Sequence, residues 1–179
     1  ASASDSDSDA ASDSDSDSDS DPGPPPCAPP LTLSGSATMA APWGNVFLTA
    51  GGGTGAYVYD LFNNPSGGLV HASTGVYSAG TVSGVSDVVR VTDAACAGEA
   101  TWAIEVLSPL DVAPVLVELP PAKGFQIAVT GGSGEVDFTM LDAGSGGTVD
   151  AGGLYASGKA EGYDRIRVTD AITGEKADV

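Results

Sequence analysis

The chain has 179 residues and a formal net charge of −18, from 24 acidic and 6 basic side chains. Such a balance excludes nucleic acid and anionic membrane surfaces as partners, because both demand a cationic face that neutralises phosphate. Abundant Gly, Ala, Val, Thr and Ser with few Lys, Arg, Gln or Leu argue for strands and turns with almost no helix. No apolar run is long enough to cross a bilayer or to serve as a secretory core, so membrane insertion is not expected.

Residues 1–21 alternate Ser with Asp, broken only by Ala, and hold eight of the acids. They offer no apolar surface to offset the entropy of ordering, so residues 1–29 are predicted to be a disordered acidic tail ending in a Pro-rich linker, Asp21-Pro22-Gly23-Pro24-Pro25-Pro26. The remaining 16 acids face 6 bases, so the folded part stays near −10. From Pro30 onward the pattern is short alternating segments bounded by glycine. Strands are predicted over 31–35, 45–50, 56–62, 69–72, 76–79, 86–92 and 100–106, then over 110–117, 124–129, 135–141, 147–150, 154–157 and 163–169.

The two sets are one unit written twice. Gly52-Gly53-Thr54-Gly55, Gly67-Gly68, Gly75-Val76-Tyr77, Ser86-Asp87 and Val91-Thr92-Asp93-Ala94 return 77 to 79 positions later. Their counterparts are Gly131-Gly132-Ser133-Gly134, Gly146-Gly147, Gly153-Leu154-Tyr155, Tyr163-Asp164 and Val168-Thr169-Asp170-Ala171. Domains are therefore predicted at 30–107 and 108–179. In the third strand Tyr57, Tyr59 and Leu61 correspond to Val136, Phe138 and Met140, the period of a strand with one buried face. Val89 and Val91 correspond to Ile166 and Val168, with Arg90 and Arg167 between them pointing outwards. The first copy closes with Ala100-Thr101-Trp102-Ala103-Ile104-Glu105-Val106, whereas the second reaches Ala177-Asp178-Val179 where that strand would begin. Its last strand is accordingly expected to be lacking, either because the sequence is a piece of a longer repeat protein or because the gap accepts a strand from another molecule in self-assembly.

A Gly-Gly-x-Gly turn before an aromatic strand, then Gly-[Val/Leu]-Tyr and a strand ending Val-Thr-Asp-Ala, resembles the bacterial immunoglobulin-like and cadherin-like repeats of large secreted or cell-surface proteins. The Ser-Asp run resembles the serine-aspartate repeats of Gram-positive surface adhesins, although here it precedes the folded domains. The resemblance implies an all-β fold of two tandem immunoglobulin-like β-sandwich domains in a rod. It also implies a non-catalytic stalk or adhesive display module at a bacterial cell surface, with a surface protein or a glycan as partner. An accessory spacer or carbohydrate-binding module of a secreted enzyme is the alternative. In such a sandwich Cys27, before the first strand, and Cys96, after the sixth, meet at one pole. A disulfide between them is expected, with free thiols or a link between chains as alternatives.

Candidate chemistry is sparse. Gly51-Gly52-Gly53-Thr54-Gly55 lacks the lysine and the following helix of a phosphate loop, and reads as a tight turn. His71 is the only histidine, its counterpart is Asp150, and nothing positions it as a catalytic base; no residue is nominated as catalytic. Asp87, Asp93, Asp164 and Asp170, at equivalent strand ends, and Asp111 near the interdomain segment are the candidate ligands for Ca²⁺, the one cofactor considered. The competing role for such aspartates is to cap backbone amides in the adjoining turn. Trp43 and Trp102 are candidate platforms for a sugar ring.

Overall fold

The computed structural model describes residues 23–179, and the Ser-Asp run at 1–21 lies outside the described residues. Among the described residues every regular element is a strand: β1 (Thr32–Gly35), β2 (Met39–Ala40), β3 (Asn45–Gly51), β4 (Tyr57–Asn63), β5 (Leu69–Val70), β6 (Val76–Ser78), β7 (Val85–Asp93) and β8 (Cys96–Val106) in the first copy. The second copy contributes β9 (Asp111–Ala113), β10 (Gly124–Gln126), β11 (Ala128–Thr130), β12 (Val136–Ala143), β13 (Thr148–Val149), β14 (Leu154–Ala156), β15 (Asp164–Asp170) and β16 (Lys176–Asp178).

In the first copy the sheet β1-β3-β6-β5 faces the sheet β2-β8-β7-β4. Alternation of side chains across each strand sends Val46, Tyr59, Tyr77, Val89, Val91, Ile104 and Val106 into one core between them. The second copy repeats the plan around Val112, Ile127, Tyr155, Ile166 and Val168. Its sheets are thinner: β12-β15-β16 mirrors β4-β7-β8, while β10 and β11 are the two halves of a β3 equivalent interrupted at Ile127. The chain is all-β, two tandem immunoglobulin-like sandwiches. Both copies carry a bulge at the same place, after Leu61 and after Met140, where the third strand pairs with the long strand beside it.

The structure differs from the sequence reading at several strands, three of them with consequences for the fold. Residues 110–117 form only the three-residue β9, because Pro114 supplies no amide to continue the ladder. β2, unforeseen because it is two residues long, lies parallel to β8 with Met39 opposite Glu105 and Ala40 opposite Val106. The second copy carries a short strand that the sequence reading did not predict: β16 pairs antiparallel with β15, placing Asp178 opposite Arg167 as Thr101 stands opposite Arg90. Arg167 fastens it with paired hydrogen bonds to the Asp178 carboxylate, 2.7 and 2.8 Å. Position 178 carries a carboxylate where the first copy has a threonine, and periodicity over so few residues gave no strand signal.

Candidate functional site

The four strand-end aspartates each act as the centre of a latch. Asp87, wholly buried at the start of β7, accepts hydrogen bonds from the Ser66 amide (2.9 Å), the Ser66 hydroxyl (2.5 Å) and the Tyr77 hydroxyl (2.6 Å). The Ser66 oxygen in turn accepts the amides of Gly68 (3.1 Å) and Gly80 (3.0 Å). One buried carboxylate thus ties the loop before β5 and the loop after β6 to the start of β7. Burial, with the neighbouring carboxylate second, pushes the Tyr77 phenol well above its usual pKa and keeps it a donor. The second copy rebuilds the latch with Ser145 donating from its amide (2.7 Å) and hydroxyl (2.6 Å) to Asp164, with Tyr155 as the third donor. Burial opposes ionisation of Asp164, but the donors from Ser145 and Tyr155 outweigh it and hold the carboxyl below its usual range.

At the far end of the same strands the other pair closes the Gly-Gly-x-Gly turn. Asp93 accepts the Thr54 amide and hydroxyl, both at 2.7 Å, the Gly55 amide at 3.2 Å and the Ala95 amide at 2.9 Å. These donors, the Thr54 hydroxyl foremost, bring its pKa down to about 2. Asp170 is held alike by Ser133 through its amide (2.5 Å) and hydroxyl (3.0 Å), and by the amides of Ile172 (3.0 Å) and Thr173 (2.7 Å). Burial works against its ionisation, and these amides and hydroxyls lower its pKa nonetheless. The turn demands glycine at Gly52 and Gly131, where φ is +78° and +71° and a Cβ would collide with the Pro30 and Pro109 carbonyl oxygens respectively.

The five aspartates considered for Ca²⁺ are therefore not brought together. Four point at N–H and O–H donors, most of them from segments distant in sequence, and Asp111 lies exposed on β9 opposite Thr130. Among the described residues no group of three His, Cys, Asp or Glu side chains is placed to hold a metal ion. Ser66, Tyr77, Ser145 and Tyr155 are the latch members that sequence reasoning passed over. The signal was there, since Ser-Gly-Gly and Gly-[Val/Leu]-Tyr occur in both copies.

Cys27 and Cys96 form the disulfide across 69 positions, beside a bridge in which the Cys27 amide donates to the Ala97 carbonyl (3.1 Å). His71 is exposed, with only Ser73 near its ring at 3.3 Å. Trp102 is half-buried, packs on the first core and donates its indole N–H to the Ala37 carbonyl at 3.0 Å. Trp43 is 74% exposed, and Phe47 on β3 is 60% exposed.

One concavity stands out. In the second domain a space of about 690 Å³ opens between the sheets, lined by Leu119, Phe125, Ile127, Tyr155, Ile166 and Val179. Leu116 and Tyr163 at its rim are 75% and 91% exposed.

No protein-family model and no curated protein sequence matches the chain. Solved structures do. The C-terminal 282-residue fragment of intimin, in complex with the intimin-binding domain of the translocated intimin receptor, is similar over 83% of this chain with a TM-score of 0.58 at 15% identity. The chain spans 62% of that fragment. Weaker likenesses include the S-layer protein SbsC (TM-score 0.33, 18% identity, 87% of this chain and 28% of that one) and human protocadherin-24 EC1-2 (TM-score 0.33, 13% identity, 83% and 92%). At these identities what is shared with intimin is the immunoglobulin-like fold.

Proposed function

We propose that this chain is a non-catalytic display module of a bacterial secreted or cell-surface protein, a stalk or adhesive repeat that carries a binding face for a protein or glycan. The observation that supports this most is the duplication of the latches. The acidic side chains that stand at equivalent positions in both copies are spent on fastening loops to the long strand, which is what a load-bearing repeat requires and what a reaction centre does not use. A disulfide that ties the start of the first domain to its longest strand fits an oxidising compartment. The likeness to the intimin fragment, itself bound to a receptor domain, is consistent with an adhesive role through fold alone.

The test is location. Antibodies raised against residues 30–179 should label intact cells of the source organism, and protease added outside should remove the signal. Labelling that appears only after permeabilisation overturns the reading. The accessory-module alternative predicts instead that the antibodies recover the chain joined to a catalytic domain in the culture supernatant.

A further inference from the structure

Resting on the reading of the chain as a display module, we infer that the outer face of the β1-β3-β6-β5 sheet in the first domain binds an uncharged glycan chain, with Trp43 and Phe47 each stacking on a sugar ring. Charge sets this face apart. Of the chain's 24 acids and 6 bases, none lies in residues 28–59 or 61–86, so β1, β3, β5 and β6 carry no Asp, Glu, Lys or Arg, and His71 follows β5 at the edge. The charges of the first domain, Asp60, Asp87, Arg90, Asp93, Glu99 and Glu105, all belong to β4, β7 and β8 in the opposite sheet. The second copy is different, with Asp111, Lys123, Asp150 and Lys159 in the matching stretches. A charged ligand finds no counter-charge on this face, and an acidic one is repelled by the rest of the chain.

The rings are held outwards by the backbone. Phe47 lies opposite Val76, and Asn45 lies opposite Ser78, which pairs in turn with the exposed Leu69. Trp43 precedes this row at a bulge: its amide donates to the Ala79 carbonyl (3.2 Å) and the Ala79 amide donates to the Gly44 carbonyl (2.8 Å), so two residues on one side meet one on the other. There the Trp43 φ is +65°, a left-handed conformation that costs free energy for a bulky side chain and that glycine adopts readily. Ala122, at the matching position of the second copy, has a φ of +57°, so the backbone belongs to the repeat and the indole to the first copy alone. With most of its surface in solvent, the Trp43 ring contributes little to the core that would offset the strain. Between the rings stand polar groups without charge. Ser78 donates to Asn45 Oδ1 at 2.6 Å, so Asn45 presents its amide N–H groups as donors, and the exposed hydroxyls of Thr32 and Thr49 extend the face. A sugar ring has the complementary pattern: apolar C–H faces for aromatic rings, hydroxyls around its edge for amides and hydroxyls, and no charge. A protein partner buries an apolar centre, whereas Asn45 and Ser78 interrupt this one. Trp43 and Phe47 are four residues apart, up to about 13 Å at the rise of a strand, further than one sugar ring reaches, so the ligand is a chain.

The probes are the neutral polysaccharides laminarin, galactomannan, starch, cellulose and chitin, with alginate as the anionic control, each mixed with the full chain. Saturable binding to at least one neutral polymer is expected, equal at low and high salt and accompanied by a change in tryptophan fluorescence. Trp43→Ala and Phe47→Ala should each weaken it at least tenfold. Trp43→Gly separates recognition from structure, because it removes the indole and relieves the left-handed residue: binding should be lost while the melting temperature of the first domain holds or rises. A fall in that melting temperature would make Trp43 a structural residue and overturn the site, as would unaltered binding by the variants. Binding to none of the neutral polymers, or to alginate alone, would overturn the glycan. A concentration-dependent dimer that Trp43→Ala dissolves would assign the face to a second copy instead. Surface labelling of intact cells without binding to any of the polymers leaves the display reading standing and removes the glycan; labelling only after permeabilisation, with binding intact, does the reverse.

Discussion

Replacing Asp87 by Ala removes a carboxylate that three donors share: the Ser66 amide, the Ser66 hydroxyl and the Tyr77 hydroxyl, all in a region closed to water. A hydrogen bond to a charged acceptor contributes about 1.5–3 kcal/mol, and a buried donor left without a partner costs about 1–3 kcal/mol. The Ser66 oxygen goes on accepting the Gly68 and Gly80 amides, but the Ser66 amide, the Ser66 hydroxyl proton and the Tyr77 hydroxyl all lose their acceptor. The sum is about 4 kcal/mol, comparable to emptying a core leucine site. Tyr77→Phe takes away one donor, leaves the carboxylate two others, and should cost about 1–2 kcal/mol. The assay is guanidinium unfolding followed by tryptophan fluorescence, which reports the first domain alone because Trp43 and Trp102 both lie there. The Asp164→Ala change in the second domain, followed by circular dichroism, should be milder because that latch is only partly buried. An Asp87→Ala loss no larger than that of Tyr77→Phe would refute the latch.

Cutting the disulfide by Cys27→Ser should lower first-domain stability by about 4 kcal/mol, the chain-entropy value for closing 69 positions, and leave the second domain's melting unchanged in the same calorimetric scan. Acid acts through the turn carboxylates. Asp93 has a folded pKa of about 2, below the ordinary carboxylate value of about 3.9, so its stabilisation is complete above the latter and fades as pH falls through the former. Asp93→Asn should flatten that part of the first domain's melting curve against pH, and an unaltered slope would contradict it. Millimolar Ca²⁺ should leave both melting temperatures where EDTA leaves them, because the carboxylates already face amide and hydroxyl donors; a rise of several degrees would show a site those donors do not fill. Gly52→Ala should cost about 2–3 kcal/mol through a collision with the Pro30 carbonyl, against about 1 kcal/mol for Gly55→Ala, where φ is also positive but the space is open. Comparable losses at the two positions would remove the collision from the account.

The repeat made the sandwich legible, because two imperfect copies of one alternation reinforce each other at Tyr59 and Phe138 or Val91 and Val168. The equivalence of Asp87 with Asp164 and of Asp93 with Asp170 was legible as well, but their role was balanced between metal ligand and turn cap. What decides that balance is the approach of Ser66 and Tyr77 to a carboxylate 21 and 10 positions away, a distance in space that no local pattern encodes. The short elements were illegible for another reason. Over two or three residues, as in β2 and β16, alternation carries no information, and pairing depends on the neighbour already being in place.

Duplication also separates the side chains that hold the module together from those free to specialise. Latch aspartates, their Ser and Tyr partners and the Gly-Gly turns match between copies. The outer face of the β3-side sheet does not: Trp43, Phe47 and Leu69 are exposed in the first copy, and Ala122, Gln126 and Thr148 stand at the same positions in the second. Exposed large apolar groups cost solubility and contribute nothing to either core, so packing gives no reason for the first copy to have them. The disulfide, too, belongs to the first copy alone. The two domains are thus one scaffold with two different surfaces: a stapled first copy with large apolar side chains on its outer face, and an unstapled second copy that has smaller or polar residues at those positions. Recognition by this chain should be sought where the copies differ, and its mechanical integrity where they agree.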